Sequence, residues 1–257
     1  MPVPGLLQRT LRYDRLITMA ALLLAWLLAC LYLLRGAGMN HMMMPMSVAP
    51  AWDAGTVTTM IAMWWVMMVA MMIPSAAPTI LLFSTVHQSH TRRGTLPGTP
   101  PALLFLAGYL GIWFVFSLAA TALQFALSGL SWLSTDTMAI RGKWITATVL
   151  ALAGLYQLSP MKQACLSHCR APAAFLAAHW RPGPVGAARL GIIHGSYCLG
   201  CCWMLMLLLF VGGVMNPLWI AALGSIVLAE KLAPAGDKAR RPLGIMLLLA
   251  AAGVTLG

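Results

Sequence analysis

The sequence predicts an all-α protein, a polytopic bundle of about seven transmembrane helices with its N-terminus in the cytoplasm. Three observations predict it. Of 257 residues, 61% are hydrophobic and only 8% charged, whereas an average globular chain is roughly 45–50% apolar and about 25% charged. The mean hydropathy of +0.85 exceeds what a wetted surface can cover. Finally, the apolar residues fall into long runs, and the basic residues lie between them with a strong bias to one side.

A spanning helix needs about 20 predominantly apolar residues, and seven runs qualify: 16–34, 57–83, 102–130, 144–160, 187–214, 217–230 and 243–257. The first follows Arg9, Arg12 and Arg15 in the manner of a signal peptide. Its length and the bulky Cys30–Arg35 stretch argue against cleavage, so it is expected to remain as an anchor helix. The last two runs are short and are also compatible with a re-entrant pair. Residues 1–257 read as one transmembrane helical domain, with 1–56 forming the anchor helix and a Met-rich outer loop.

Orientation follows from the basic residues. An inside N-terminus places thirteen of the sixteen Lys and Arg in inner segments, leaving only Arg35, Arg141 and Lys143 outside. This bias is the positive-inside pattern, and it accounts for a net charge of +11 through membrane lipid rather than a nucleic-acid partner. No Walker sequence, dinucleotide fingerprint or Gly-x-Ser-x-Gly occurs, so nucleotide chemistry has no support. The localisation read from this pattern is a membrane, with the basic segments on its cytoplasmic side.

The chemistry-bearing residues are sulfur-rich. Eleven of nineteen methionines lie between Met39 and Met72. In the outer loop, His41, Met42, Met43, Met44 and Met46 combine thioethers with an imidazole, a donor set that suits copper(I). The competing reading is an apolar loop dipping into the membrane interface. In the second helix, Met60, Met63, Met67 and Met71, with Met68 and Trp64, share an arc of about 140°. Either a sulfur ladder for a soft metal or ordinary flexible packing would produce that stripe. Pro74 and Pro78 are expected to distort the inner half of this helix.

The fifth run carries His194-Gly-Ser-Tyr-Cys198-Leu-Gly-Cys201-Cys202. Its spacing sets His194, Cys198, Cys201 and Cys202 within roughly 100° of helix face, a plausible N/S ligand set for copper(I), zinc or another soft metal. Gly195 and Gly200 permit a close helix neighbour. Cys201 and Met67 both reach about 15–18 Å into the bilayer, so the two sulfur helices are expected to be adjacent. On the inner side, Cys165, His168 and Cys169 fit one metal-binding helical turn, and a reactive thiol beside Lys162 or Arg170 is the rival. Cys30 reads as packing, Glu230-Lys231 as a snorkelling pair at the inner interface, Asp53 as a helix cap, and Asp136, His87 and His90 as loop residues.

Several stretches together resemble a family of bacterial predicted metal-binding integral membrane proteins, classed as a domain of unknown function. They are Met67–Ser75, Gly108-Tyr109 with Trp113, Ser159–Lys162 with Cys165, Leu166, Cys169 and Arg170, Tyr197–Trp203, Met215-Asn216 and Glu230–Leu232. The resemblance covers about residues 57–233 and implies metal binding in a membrane, without an established reaction. The leading expectation is capture, relay or transport of copper(I) across the inner membrane, with a periplasmic copper-binding or membrane protein as partner. The alternatives are a membrane-embedded copper- or thiol-dependent oxidoreductase and a structural or assembly subunit.

Overall fold

Apolar runs of helix-forming residues, broken by proline and capped by short polar side chains, produce an all-helical architecture. It is a computed structural model that describes residues 19–20, 22–33, 35, 52–92, 102–134, 137–232 and 236–256. The helices are α1 (Leu22–Leu33), α2 (Ala54–Arg92), α3 (Ala102–Gly129), α4 (Lys143–Leu158), α5 (Pro160–Arg170), α6 (Pro172–His179), α7 (Gly183–Leu207), α8 (Leu209–Gly212), α9 (Pro217–Leu232) and α10 (Gly236–Leu256).

Three stretches, Ala54–His87, Ala102–Gly129 and Gly183–Gly212, are long and apolar enough to cross a membrane. On α3 the large apolar side chains Phe114, Val115, Leu118, Leu123 and Phe125 face outward, a surface that only lipid covers favourably. The protein is a multi-span α-helical membrane protein. Helices α4 and α9 have 16 residues each, short of a full crossing by themselves.

The helix ends have local causes. Asp53 caps α2, its Oδ1 accepting from the Thr56 amide at 2.9 Å. Hydrogen bonds from the Thr56 side chain and amide hold the Asp53 carboxyl below its ordinary range. Ser159 precedes Pro160 in an extended conformation, which ends α4. Its hydroxyl accepts from the Lys162 amide to start α5. Asn216 caps α9 through the Leu218 and Trp219 amides at 3.1 and 3.2 Å, with Pro217 in the first turn. Helix α2 runs without interruption through Pro74 and Pro78, which cannot donate to the carbonyls one turn earlier.

On the inner side after α4, α5 and α6 fold against the bundle and bury Lys162, Leu166, Cys169, Phe175 and Leu176. Two sequence expectations are corrected. His87 is a buried residue of α2, its ring 6.2 Å from that of Phe83. Lys162, Lys231 and Arg240, counted as inner surface charges, are all buried. Burial is tolerated because each finds hydrogen-bond partners inside the bundle.

Close packing of α3 on α7 rests on glycine. A Cβ at Gly108 would sit 2.3 Å from the Ala188 carbonyl oxygen, and one at Gly191 would sit 2.0 Å from that of Phe105. Small residues at such crossings let backbones approach without a hydrophobic driving force between helices. Gly154 and Gly244 serve the α4–α10 contact in the same way. Replacing Gly108 or Gly191 by Ala is therefore expected to destabilise the protein by about 1–3 kcal/mol. Gly111→Ala, where a Cβ meets open space, is the neutral control. Thermal unfolding in detergent distinguishes them.

Candidate functional site

The interior of the bundle gathers sulfur. Cys198, Cys201 and Cys202 lie on the buried face of α7, each about 1% exposed. The Cys201 and Cys202 thiols donate back to the Cys198 carbonyl oxygen at 3.1 and 2.9 Å, which fixes their direction along the helix. Cys201 also lies within hydrogen-bonding reach of the Cys169 thiol on α5. Cys165, one turn earlier on α5, packs on Gly200, where an added Cβ would stand 2.9 Å from its sulfur. The expected inner Cys165/Cys169 turn and the expected central cysteine face are thus one cluster of five thiols from two helices.

Two further helices close on Cys198. From α3, the Tyr109 hydroxyl is 3.0 Å from its sulfur and 3.4 Å from the Met72 carbonyl oxygen. From α9, Lys231 Nζ donates to Cys198 Sγ at 2.8 Å and to Ser75 Oγ at 3.1 Å, with Met72 Sδ 4.0 Å away. Helix α2 packs chiefly on α3 and α9, and α7 on α3 and α5. The two sulfur helices are therefore joined through Tyr109 and Lys231, rather than by packing face to face as expected.

Beside the thiols is a buried ion pair. Lys162 Nζ and Glu230 Oε2 are 2.7 Å apart, and both side chains are almost wholly excluded from solvent. Gln157 spans the pair, accepting from Lys162 and donating to Glu230. Arg170 donates to the Glu230 carbonyl oxygen at 2.7 Å. The reading of Glu230-Lys231 as a snorkelling interfacial pair is overturned: the two consecutive side chains enter separate buried networks. A charge in hydrocarbon is costly unless paired and hydrogen-bonded, and each has found partners.

The remaining predicted residues disperse. His194 is buried among the rings of Phe105, Tyr109 and Phe175, with centroids 5.1–5.9 Å away. Among the described residues its Nδ1 has no hydrogen-bond partner. His168 stacks on Tyr197 with centroids 4.1 Å apart, its Nδ1 2.8 Å from the Ala164 carbonyl oxygen. Met60 accepts from Gln124 at 3.5 Å, and Met63, Met67 and Met71 line a cavity toward α1 and α9. The methionine brought to the thiols is Met72, which the ligand assignment omits. His41, Met42, Met43, Met44 and Met46 lie outside the described residues. Met72, Ser75, Tyr109, Lys162, Glu230 and Lys231 all fall within the stretches that carry the family resemblance, the signal by which they could have been found.

Residues 61–254 match the sequence profile of a family described as PpoB2, copper chaperone. The chain belongs to this family. No curated protein and no solved structure matches it. The match extends beyond the expected 57–233 core to include α10, in keeping with the packing of α10 along α4. For a copper chaperone family the donor set is chemically apt, since thiolates and thioethers are soft ligands. Its geometry is open: among the described residues, no three His, Cys, Asp or Glu side chains form a group that could hold a metal ion. A metal would have to draw thiols from α5 and α7 together, or combine thiol with thioether.

Breaking the buried ion pair leaves one charge uncompensated. Glu230→Gln is expected to cost about 3–5 kcal/mol, and the double change Lys162→Met with Glu230→Leu to recover much of it. Equilibrium denaturation in detergent, with far-UV circular dichroism as readout, measures both.

Proposed function

We propose that the protein handles copper(I) in the bacterial inner membrane, in a bundle of about seven spans with its N-terminus in the cytoplasm. Copper(I) is captured outside by His41, Met42, Met43, Met44 and Met46, passes the thioethers of Met60, Met63, Met67 and Met71, and is held at the thiols of Cys198, Cys201 and Cys202. Cys165 and Cys169 extend that thiol site toward the inner side, with His168 at its edge and His194 one turn above. Zinc or another soft metal is the alternative cargo. A periplasmic copper-binding or membrane protein is the proposed partner in hand-over.

The observation that carries the reading is the convergence of five thiols from α5 and α7, four of them buried and Cys165 partly so, with Met72 beside them. The family description, copper chaperone, supports the choice of metal. Burial supports it too: a buried, sulfur-lined site favours a reduced, soft ion over hard oxygen-seeking cations. The flexible pairing of sulfurs, rather than a closed tetrahedral cage, suits an ion that must be released. Structural zinc sites, by contrast, are closed and four-coordinate.

Copper analysis of detergent-purified protein tests this. The native chain is expected to bind copper(I) with sulfur coordination visible by X-ray absorption. The variant Cys198→Ser, Cys201→Ser, Cys202→Ser is expected to lose the thiolate-bound metal. Unchanged copper stoichiometry in that variant would remove the central site from the mechanism.

A further inference from the structure

Met63, Met67 and Met71 turn away from the thiols and line a cavity of about 470 Å³ between α1, α2 and α9. Cys30 enters it from α1, and Met215 from the link between α8 and α9. We propose that this chamber is a second soft-metal site, built from four thioethers and one thiol and separate from the thiol cluster. The inference rests on the proposed copper handling but adds a site that includes Cys30, a residue read from the sequence as packing, and Met215.

Three observations converge on the chamber. Spacing of four residues places Met63, Met67 and Met71 on one face, rising about 6 Å per step, so their sulfurs form a column along one wall. Three other methionines have a neighbouring donor: Gln124 donates to Met60 and Met138 at 3.5 and 2.9 Å, and Lys231 approaches Met72. Among the described residues no such donor is directed at Met63, Met67, Met71 or Met215, which leaves their lone pairs available. Finally, the Met71 side chain packs against α9, a Cβ added at Gly224 standing at ordinary contact distance, 3.5 Å, from Met71 Cγ. The sulfur column is thereby held at the junction of three helices.

The two sites differ in proton chemistry. A thiol must lose its proton to bind metal, so the thiol cluster is acid-sensitive. A thioether carries no proton, so four of the five chamber donors bind equally well across the acid range. Cys30 and α1 lie outside the residues matched to the family, 61–254.

The test uses the full chain in detergent under anaerobic conditions, loaded with silver(I) as a redox-silent probe, its stoichiometry and affinity measured by competition titration at pH 7.5 and pH 5. With Met42, Met43, Met44 and Met46 changed to Leu to remove the outer loop's thioethers, the otherwise native protein is expected to hold one acid-resistant equivalent, its affinity unchanged at pH 5, beside acid-labile equivalents whose affinity falls. The variant Met67→Leu, Met71→Leu, Met215→Leu loses that equivalent and keeps the acid-labile ones, whereas Cys198→Ser, Cys201→Ser, Cys202→Ser does the reverse. Leucine conserves volume, and the single variant Met71→Leu, expected to weaken the acid-resistant binding by about tenfold, guards against misfolding of the triple one. An acid-resistant equivalent that survives the chamber methionine changes, or none in their absence, overturns the chamber while leaving the thiol site intact. Binding of no silver at either pH overturns both.

Discussion

The organisation of the interior depends on the need to bury consecutive charges, Glu230 and Lys231, at the end of α9. Neighbouring residues on a helix point about 100° apart, so the two side chains address different neighbours. Glu230 takes Lys162 of α5 together with Gln157 of α4. Lys231 takes Cys198 of α7 and Ser75 of α2. One turn of α9 thus fixes the positions of four other helices. In a low-dielectric interior neither charge can be left unpaired without a penalty of several kcal/mol. Because Lys162 and Cys165 share α5, the ion pair that neutralises Glu230 also holds the α5 thiols against α7.

Glycine supplies the complementary constraint. Where α3 crosses α7, the absence of side chains at Gly108 and Gly191 lets the backbones touch, and this brings the Tyr109 hydroxyl to the Cys198 sulfur. Gly200 does the same for Cys165, and the Tyr156 hydroxyl donates to the Gly200 carbonyl oxygen from the other side. The sulfur cluster is therefore framed by close helix contacts and hydrogen bonds. Its framework is hydrogen-bonded and close-packed, with the thiols directed inward as its adaptable part.

The methionines of α2 serve several purposes on one helix. Met60 belongs to a polar knot in which Gln124 also accepts from the Trp64 indole at 2.6 Å. Met72 stands beside Lys231 and the thiols. Met63, Met67 and Met71 face the cavity toward α1. A stripe that looks uniform along the chain is divided by its surroundings into donors that are engaged and donors that are free.

Much of this molecule is legible in one dimension. Apolar runs, prolines and caps such as Asp53, Ser159 and Asn216 are local features, and local backbone hydrogen bonding decides where helices begin and end. The common face of Cys198, Cys201 and Cys202 follows from helical period alone. What sequence cannot encode locally is which face meets which neighbour. Joining Cys169 to Cys201, dividing Met60 from Met67 and Met72, and sending Glu230 and Lys231 into separate partners all depend on contacts between residues far apart in the chain. Those contacts were decided by the tertiary structure, because small residues choose where helices approach and buried charges accept only neighbours that can neutralise or hydrogen-bond them.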